Sequence, residues 1–291
     1  RNESSAASDV YKRQGLIPIM PEGPEIHRAA NRIAKALVGK RLNTVEFHYK
    51  TVEGLEHFFL GKEVQYVKAR SKGLLISVGD YVMYSHNQLY GRWTVNRATT
   101  KPRPTNRSLR VVFGNDKNTA RLWSATDIEI LEPWELSGHP YLAKLGPDVA
   151  DIEVDFADVI AQVSNPKFVR RQLSGLLLDQ GFLAGVGNYL RSEILFDAGI
   201  SPYRKVGSLT ESELENLAKS AIGITALAYH EKGVTVPQEL YQTLRENGLS
   251  RYQARHYVFT RDGLECHNCQ TLIVHTRLSN RRLDYCPKCQ I

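Results

Sequence analysis

Apolar side chains recur at Ile26, Ala29, Ala30, Ile33 and Leu37. That is the spacing of one helix face, and it predicts a helix over residues 24–38 that Gly39 ends. The period then changes. Short β-rich runs at residues 42–48, 63–69, 74–78, 81–85, 92–95, 109–113, 120–123 and 128–131 are bounded by Gly, Asn or Asp. They predict eight strands of a sandwich or barrel. Residues 97–107, rich in Thr, Pro and basic side chains, read as a loop. Residues 133–151 read as a linker, with Pro133, Pro140, Gly146 and Pro147 as breakers. Helical spacing follows over 154–163, 167–179, 188–198 and 208–229. The pattern divides the chain into a β-sandwich unit with a leading helix (20–132), a linker (133–151), a helical unit (152–250) and a terminal unit (251–291). The fold class is multidomain α+β.

Composition narrows the partners. The 291 residues are 42% hydrophobic, enough for sizeable cores, and the net charge is +7. An excess of positive charge points to nucleic acid, and no basic amphipathic anchor argues for a membrane. No apolar run approaches the ~20 residues of a membrane span. All four cysteines lie beyond residue 265. Such clustering is unlike a disulfide scaffold and points to a reducing, cytoplasmic compartment. Residues 1–19 are polar and Ser/Ala-rich, without the apolar core of a secretory signal. They read as a non-native or mis-assigned extension, with Met20 as the initiator. No dimer stripe is present, so a monomer is expected.

Four motifs carry chemistry. Cys266-His-Asn-Cys269 and Cys286-Pro-Lys-Cys289 form paired knuckles that can place four thiolates around one structural Zn2+. His267 and His275 are expected to stay outside that set. Between the knuckles residues 271–277 and 281–285 can pair as a hairpin with a basic tip at Arg277, Arg281 and Arg282, suited to phosphate. In Asp179-Gln-Gly-Phe-Leu-Ala-Gly-Val-Gly-Asn188, three glycines precede a helix expected to be capped by Asn188. A helix N-terminus offers free N–H groups to phosphate, although a plain tight turn has the same composition. Lys72, beside Gly73 and just before an apolar strand, is held near backbone or is simply solvated. Gln88-Leu89-Tyr90 sets bulky side chains at a turn, which suits insertion where a base has left its stack, or inward packing. A fifth stretch, Met20-Pro-Glu-Gly-Pro-Glu25, reads as a helix start with Pro24 and Glu25 in the first turn. With Met20 removed, Pro21 also becomes an amine nucleophile flanked by the carboxylates of Glu22 and Glu25.

Pro-Glu-Gly-Pro-Glu, the glycine-rich turn and the four-cysteine knuckles occur in the order seen in the formamidopyrimidine-DNA glycosylase/endonuclease VIII family. The resemblance runs from Pro21 to Gln290. It implies a bifunctional DNA glycosylase/AP lyase with a helix–two-turn–helix domain and a zinc finger, acting on damaged duplex DNA without a nucleotide cofactor. By this resemblance Pro21 is the nucleophile that forms a Schiff base at C1′, and Glu22 is the acid/base group. Glu25 supports them, Lys72 contacts phosphate and assists β-elimination, and Asn188 binds phosphate near the lesion. Arg281 is the zinc-finger arginine of phosphate binding and δ-elimination. Gln88, Leu89 and Tyr90 look like the endonuclease VIII triplet that fills the hole left by the flipped base. The purine branch's longer lesion-capping loop is not recognisable between Gly233 and Arg255. Oxidised pyrimidines are therefore expected over 8-oxoguanine. Lys144 stands where endonuclease VIII has a DNA-binding arginine, so charge is kept and the bidentate fork is lost.

Overall fold

In the computed structural model, residues 21–278 and 280–291 are described. The extension expected over 1–19 and the initiator expected at Met20 lie outside them. Helix α1 (Gly23–Leu37) leads into strands β1 (Thr44–Phe47), β2 (Val64–Arg70), β3 (Gly73–Val78), β4 (Tyr81–His86), β5 (Arg92–Arg97), β6 (Leu109–Gly114), β7 (Asn118–Trp123) and β8 (Asp127–Leu131). They form two antiparallel four-stranded sheets, ordered β1-β6-β7-β5 and β2-β3-β4-β8. All eight expected strands are present. The inner faces and α1 share one core. Ile26, Ile33 and Leu37 from the helix are buried with Phe47, Phe59, Ile76 and Phe113. Each such side chain contributes about 1.5–3 kcal/mol relative to exposure. Phe47 sets its ring edge-on to both Phe59 and Phe113, at 5.5 and 5.8 Å between centroids.

The second half is helical: α2 (Phe156–Val163), α3 (Leu173–Leu176), α4 (Asn188–Asp197), α5 (Glu211–His230), α6 (Gln238–Glu246) and α7 (Arg251–Ala254). Its core gathers Val159, Leu176, Leu190, Ile194 and Leu217. The single helix expected over 167–179 is instead a 3-10 turn at Pro166–Phe168 and the short α3. The helix is interrupted at Gln172, which is extended because the chain pairs elsewhere: Gln172 bridges Lys205, and the N–H groups of Leu173 and Ser174 at the start of α3 donate to Arg204 O and Pro202 O. Helical spacing along the sequence did not register those distant carbonyls. Helix α6 also departs from the sequence reading, which left 238–246 unassigned.

Residues 133–151, read as a linker, carry 3-10 turns at Pro133–Gly138 and Leu142–Lys144. They also run alongside the glycine-rich turn, with Asp148 bridging Ala184 in parallel. Strands β9 (Val274–Leu278) and β10 (Arg281–Tyr285) pair as the terminal hairpin. Its small core joins Cys266, Cys286, Val258 and Ile273 to Phe196 of α4.

Candidate active site

The site is where α1 begins and α4 begins. Glu22 is the N-cap of α1, in extended conformation, and closes a capping box with Glu25. Its backbone N–H donates to Glu25 Oε2 at 3.0 Å. The Glu22 carboxylate also reaches the second helix. It accepts from the N–H groups of Gly187 (2.7 Å), Tyr189 (2.9 Å) and Leu190 (3.2 Å). One buried carboxylate from the start of α1 thus satisfies orphan donors at the start of α4. The expected cap was Asn188. The structure puts Gly187 at the N-cap and Asn188 at the first helical position, because Glu22 from 165 residues away occupies the capping place. The half-buried Asn188 side chain is left for another partner.

Glu25 is a positioning hub. Its Oε2 accepts from Tyr189 OH at 3.1 Å, and its Oε1 accepts from Arg28 Nη2 at 2.6 Å. Arg28 donates onward to Ala228 O and Tyr229 O at the end of α5. Pro21 lies beside this pair. With Glu25, Leu89 and Tyr90 it lines a cavity of about 430 Å³.

Lys72 is not solvated. It lies in the β2–β3 turn, where Ser71 takes a left-handed φ of 59°, and its Nζ donates to Val186 O at 2.7 Å. That carbonyl belongs to the residue before the α4 N-cap. Burial pushes the Glu22 carboxyl up to about 7, while the Lys72 ammonium and the N–H groups of Tyr189 and Leu190 pull the other way. Burial pushes the Lys72 ammonium down, with Glu22 opposing the shift and Arg281 adding to it. The pair is therefore poised nearer neutrality than free side chains.

The Ser71 turn is held by residues that sequence reasoning missed. Ser71 N–H donates to Asp148 Oδ2 at 2.6 Å, and Asp148 also meets His27 of α1 at 2.9 Å. The Ser71 hydroxyl donates to Gln180 and accepts from Tyr141 OH and Gly185 N–H. Asp148 and Gln180 lay within stretches already noted, but no local signal tied either of them to residue 71.

Among the other expected residues, Gln88 has a left-handed φ of 48°, accepts from Thr126, and is exposed. Leu89 projects, 38% exposed, so this turn does not simply fold inward. Arg107 Nη1 donates to Tyr90 O and braces the turn. Lys144 is exposed at the end of its 3-10 turn, and the following chain pairs with the glycine-rich turn through Gly146 N–H and Gln180 O.

In the hairpin Arg281 is exposed. Its neighbour Arg282, also expected at the basic tip, is tied to Asp284 and Asp262, whereas Arg277 and Arg281 are exposed. Buried Arg191 links Ser174 O to Arg282 O and locks the hairpin to α4. Buried Glu193 accepts from Thr235 and from the N–H groups of Tyr257, Val258 and Phe259. The four cysteine sulfurs lie within 4.8 Å of one another, with Cys266–Cys289 at 3.8 Å and Cys269–Cys286 at 3.5 Å. A tetrahedron of thiolates about 2.3 Å from one metal ion has edges near ~3.8 Å, so these residues fit such an ion. His275 turns to Asp284 at 2.8 Å, and the four thiolates make the set complete without either histidine.

Comparison with known proteins agrees with this arrangement. The formamidopyrimidine-DNA glycosylase N-terminal domain matches residues 20–126, and the formamidopyrimidine-DNA glycosylase H2TH domain matches residues 145–238. The chain is 42% identical over 272 residues to Endonuclease 8 of Pectobacterium carotovorum, covering 93% of this chain and 100% of that protein. It is 40% identical, over the same span, to Endonuclease 8 of Klebsiella pneumoniae. Among solved structures, Lactococcus lactis formamidopyrimidine-DNA glycosylase non-covalently bound to AP-site DNA superposes with a TM-score of 0.75 at 22% identity, covering 92% of this chain and 99% of that one. MutM in complex with carbocyclic 8-oxo-G DNA gives 0.75 at 23% identity, covering 93% and 100%. At those identities the structures show the shared fold. The full-length likeness to Endonuclease 8, the two matched domains and the four-cysteine hairpin together establish that the chain belongs to the formamidopyrimidine-DNA glycosylase/endonuclease VIII family, the bifunctional DNA glycosylase/AP lyases of base excision repair.

Proposed function

We propose that this protein excises oxidised pyrimidines from duplex DNA through a Schiff base on Pro21 and then breaks the strand by β,δ-elimination. The observation that carries the reading is the buried Glu22 carboxyl, raised to about 7, next to Pro21 in sequence. A carboxyl still protonated near neutrality can hand a proton to the departing base or its sugar while the amine attacks C1′. The N-glycosidic electron pair leaves with the base, and the C1′–O4′ bond then opens, O4′ taking a proton as the amine's lone pair forms the C1′ iminium. The resulting iminium acidifies the C2′ proton, and its removal expels the 3′ phosphate. Lys72 and Arg281 are assigned to the phosphates and eliminations, Asn188 and Lys144 to backbone phosphates, and Gln88, Leu89 and Tyr90 to the vacated stack. Identity of 42% to Endonuclease 8 favours pyrimidine lesions over 8-oxoguanine.

The metal reading is one structural Zn2+ on Cys266, Cys269, Cys286 and Cys289. The ion ties the two knuckles together and so holds the hairpin that carries Arg281. Cys269→Ser is expected to lose one equivalent of zinc by metal analysis and to weaken DNA binding at least tenfold. Full zinc content in that variant would remove the assignment. The protein is read as a monomer, cytoplasmic and at the nucleoid if bacterial. No described helix is long and apolar enough to cross a membrane.

The direct test is borohydride trapping on abasic duplex, with intact-mass analysis of a chain beginning at Pro21. A covalent adduct at Pro21 is expected, and none should form when residues precede it. No adduct from the Pro21 chain leaves the non-catalytic zinc-ribbon binder as the reading. Faster cleavage at 8-oxoguanine than at thymine glycol would move the substrate to the purine branch.

A further inference from the structure

The cavity beside Pro21 does not end at the Gln88–Tyr90 turn. Three of its lining residues, Arg32, Arg92 and Arg107, also line a neighbouring groove of about 580 Å³. That groove runs under the loop joining β5 to β6 and adds Lys101 and Arg103 from the loop. Five cations face it, and no carboxylate is among its lining residues. The contrast with another surface cavity of similar volume is informative: Asp148, Asp151, Glu153, Asp155 and Asp158 line that one, and a phosphate would be repelled there. Arg32, Arg92, Lys101 and Arg103 are exposed. None of the five has a carboxylate within ion-pair reach among the described salt bridges.

The loop is also built to hold its charge in place. Pro102 and Pro104 flank Arg103 and fix φ on both sides of it. Its base is pinned where Ala98 N–H donates to Lys117 O and Thr100 N–H to Arg97 O. Its far end is pinned through Arg107, which braces the Tyr90 carbonyl. Like charges set this close repel one another in the free protein, which an anionic occupant relieves.

We infer that this groove is an auxiliary phosphate track, in which Arg32, Arg92, Lys101 and Arg103 hold the DNA backbone several nucleotides to one side of the lesion. A strand placed with its damaged sugar at Pro21 must pass the Leu89 turn, and the groove opens directly beyond that turn. The track lies on the sandwich edge formed by β5 and is separate from the Lys72, Asn188 and Arg281 phosphate contacts. It takes DNA as the partner, which the family establishes, and does not depend on which lesion is cut.

The test compares the full chain with Arg92→Ala/Lys101→Ala/Arg103→Ala on a 30-base-pair duplex bearing a non-cleavable abasic analogue. Each phosphate contact adds about 0.9 to the slope of log affinity against log salt. The triple variant should lose about 2–3 in that slope. The affinity lost between 50 and 200 mM salt should then shrink by about fortyfold. Arg92→Lys/Arg103→Lys keeps the charge and should keep the wild-type slope. Shortening the duplex arm on one side of the lesion should erase the difference between wild type and triple variant, and shortening the other arm should not. An unchanged slope, or a difference that survives both shortenings, overturns the track. Borohydride trapping at Pro21 reads the catalytic assignment separately, so an unchanged slope with trapping intact removes only the groove.

Discussion

Glu22→Gln should lower base excision by about 10²–10⁴-fold, the usual worth of a positioned acid, and leave cleavage of preformed abasic sites within about tenfold. The asymmetry follows from the chemistry. An abasic sugar already exchanges between ring and aldehyde, so the Pro21 amine can condense without a base having to leave. Excision needs a proton delivered as the glycosidic bond breaks. Glutamine keeps the shape but not the proton. It also turns an NH2 toward one of the three backbone N–H groups that Glu22 accepts, which costs about 1–3 kcal/mol of stability.

The pH profile carries the same signature. Because burial raises the Glu22 carboxyl to about 7, the acid form is present below that pH and is lost above it. Pro21, an α-amine that titrates near ~8, must be neutral to attack. With the acid form of Glu22 lost above about 7, single-turnover excision should rise to about pH 7, level off to about 8 and fall above it. In Glu22→Gln the falling limb should disappear. Equal loss of excision and abasic-site cleavage, or a falling limb that persists in the variant, contradicts the acid role.

Gly187→Ala should be nearly as damaging to excision, although Gly187 touches no substrate in this assignment. Its φ of −131° suits any residue, so the effect is not backbone strain. A Cβ there would overlap Glu22 Cδ and sit 2.5 Å from its Oε1. The carboxylate would have to leave, uncapping α4 and losing its three N–H donors. Overpacking of this kind costs about 1–3 kcal/mol. Excision should fall by at least about 10²-fold as the acid is displaced. Gly223→Ala is the matching control. It lies inside α5 with open space at its Cβ, and should be neutral or stabilising by up to about 1 kcal/mol. A Gly187→Ala protein with wild-type melting temperature and excision rate would show that Glu22 does not need its present seat.

Much of this site was legible along the chain because the signals are local. Short β-rich runs bounded by Gly, Asn or Asp marked all eight strands, since strand and turn chemistry are both local. The cysteine knuckles announced a metal site because two thiolates three residues apart already share one tight loop. The failures share one cause. The segment 167–179 has helical spacing, yet its backbone donors are taken by Arg204 and Pro202. Asn188 has the composition of a cap, yet Glu22 arrives from another domain to do the capping. Glu193 is committed to the N–H groups of residues 257–259, ahead of the four-cysteine hairpin. Arg282 looks as free as Arg281, and two aspartates hold it. In each case a partner distant in sequence satisfied a polar group first.

By itself, then, the order of residues determined the strands, the paired cysteine knuckles, the family, and the kind of partner a +7 chain seeks. These depend on spacing, side-chain chemistry and net charge, which survive unfolding. Only the tertiary structure decided that Glu22 is buried between two helix N-termini, that Lys72 is desolvated against Val186 O, and that Arg282 is held by two aspartates while Arg281 is exposed. Burial and hydrogen-bond competition are properties of packed neighbours, and packing is what brings residues 22, 72, 187 and 281 into one electrostatic unit.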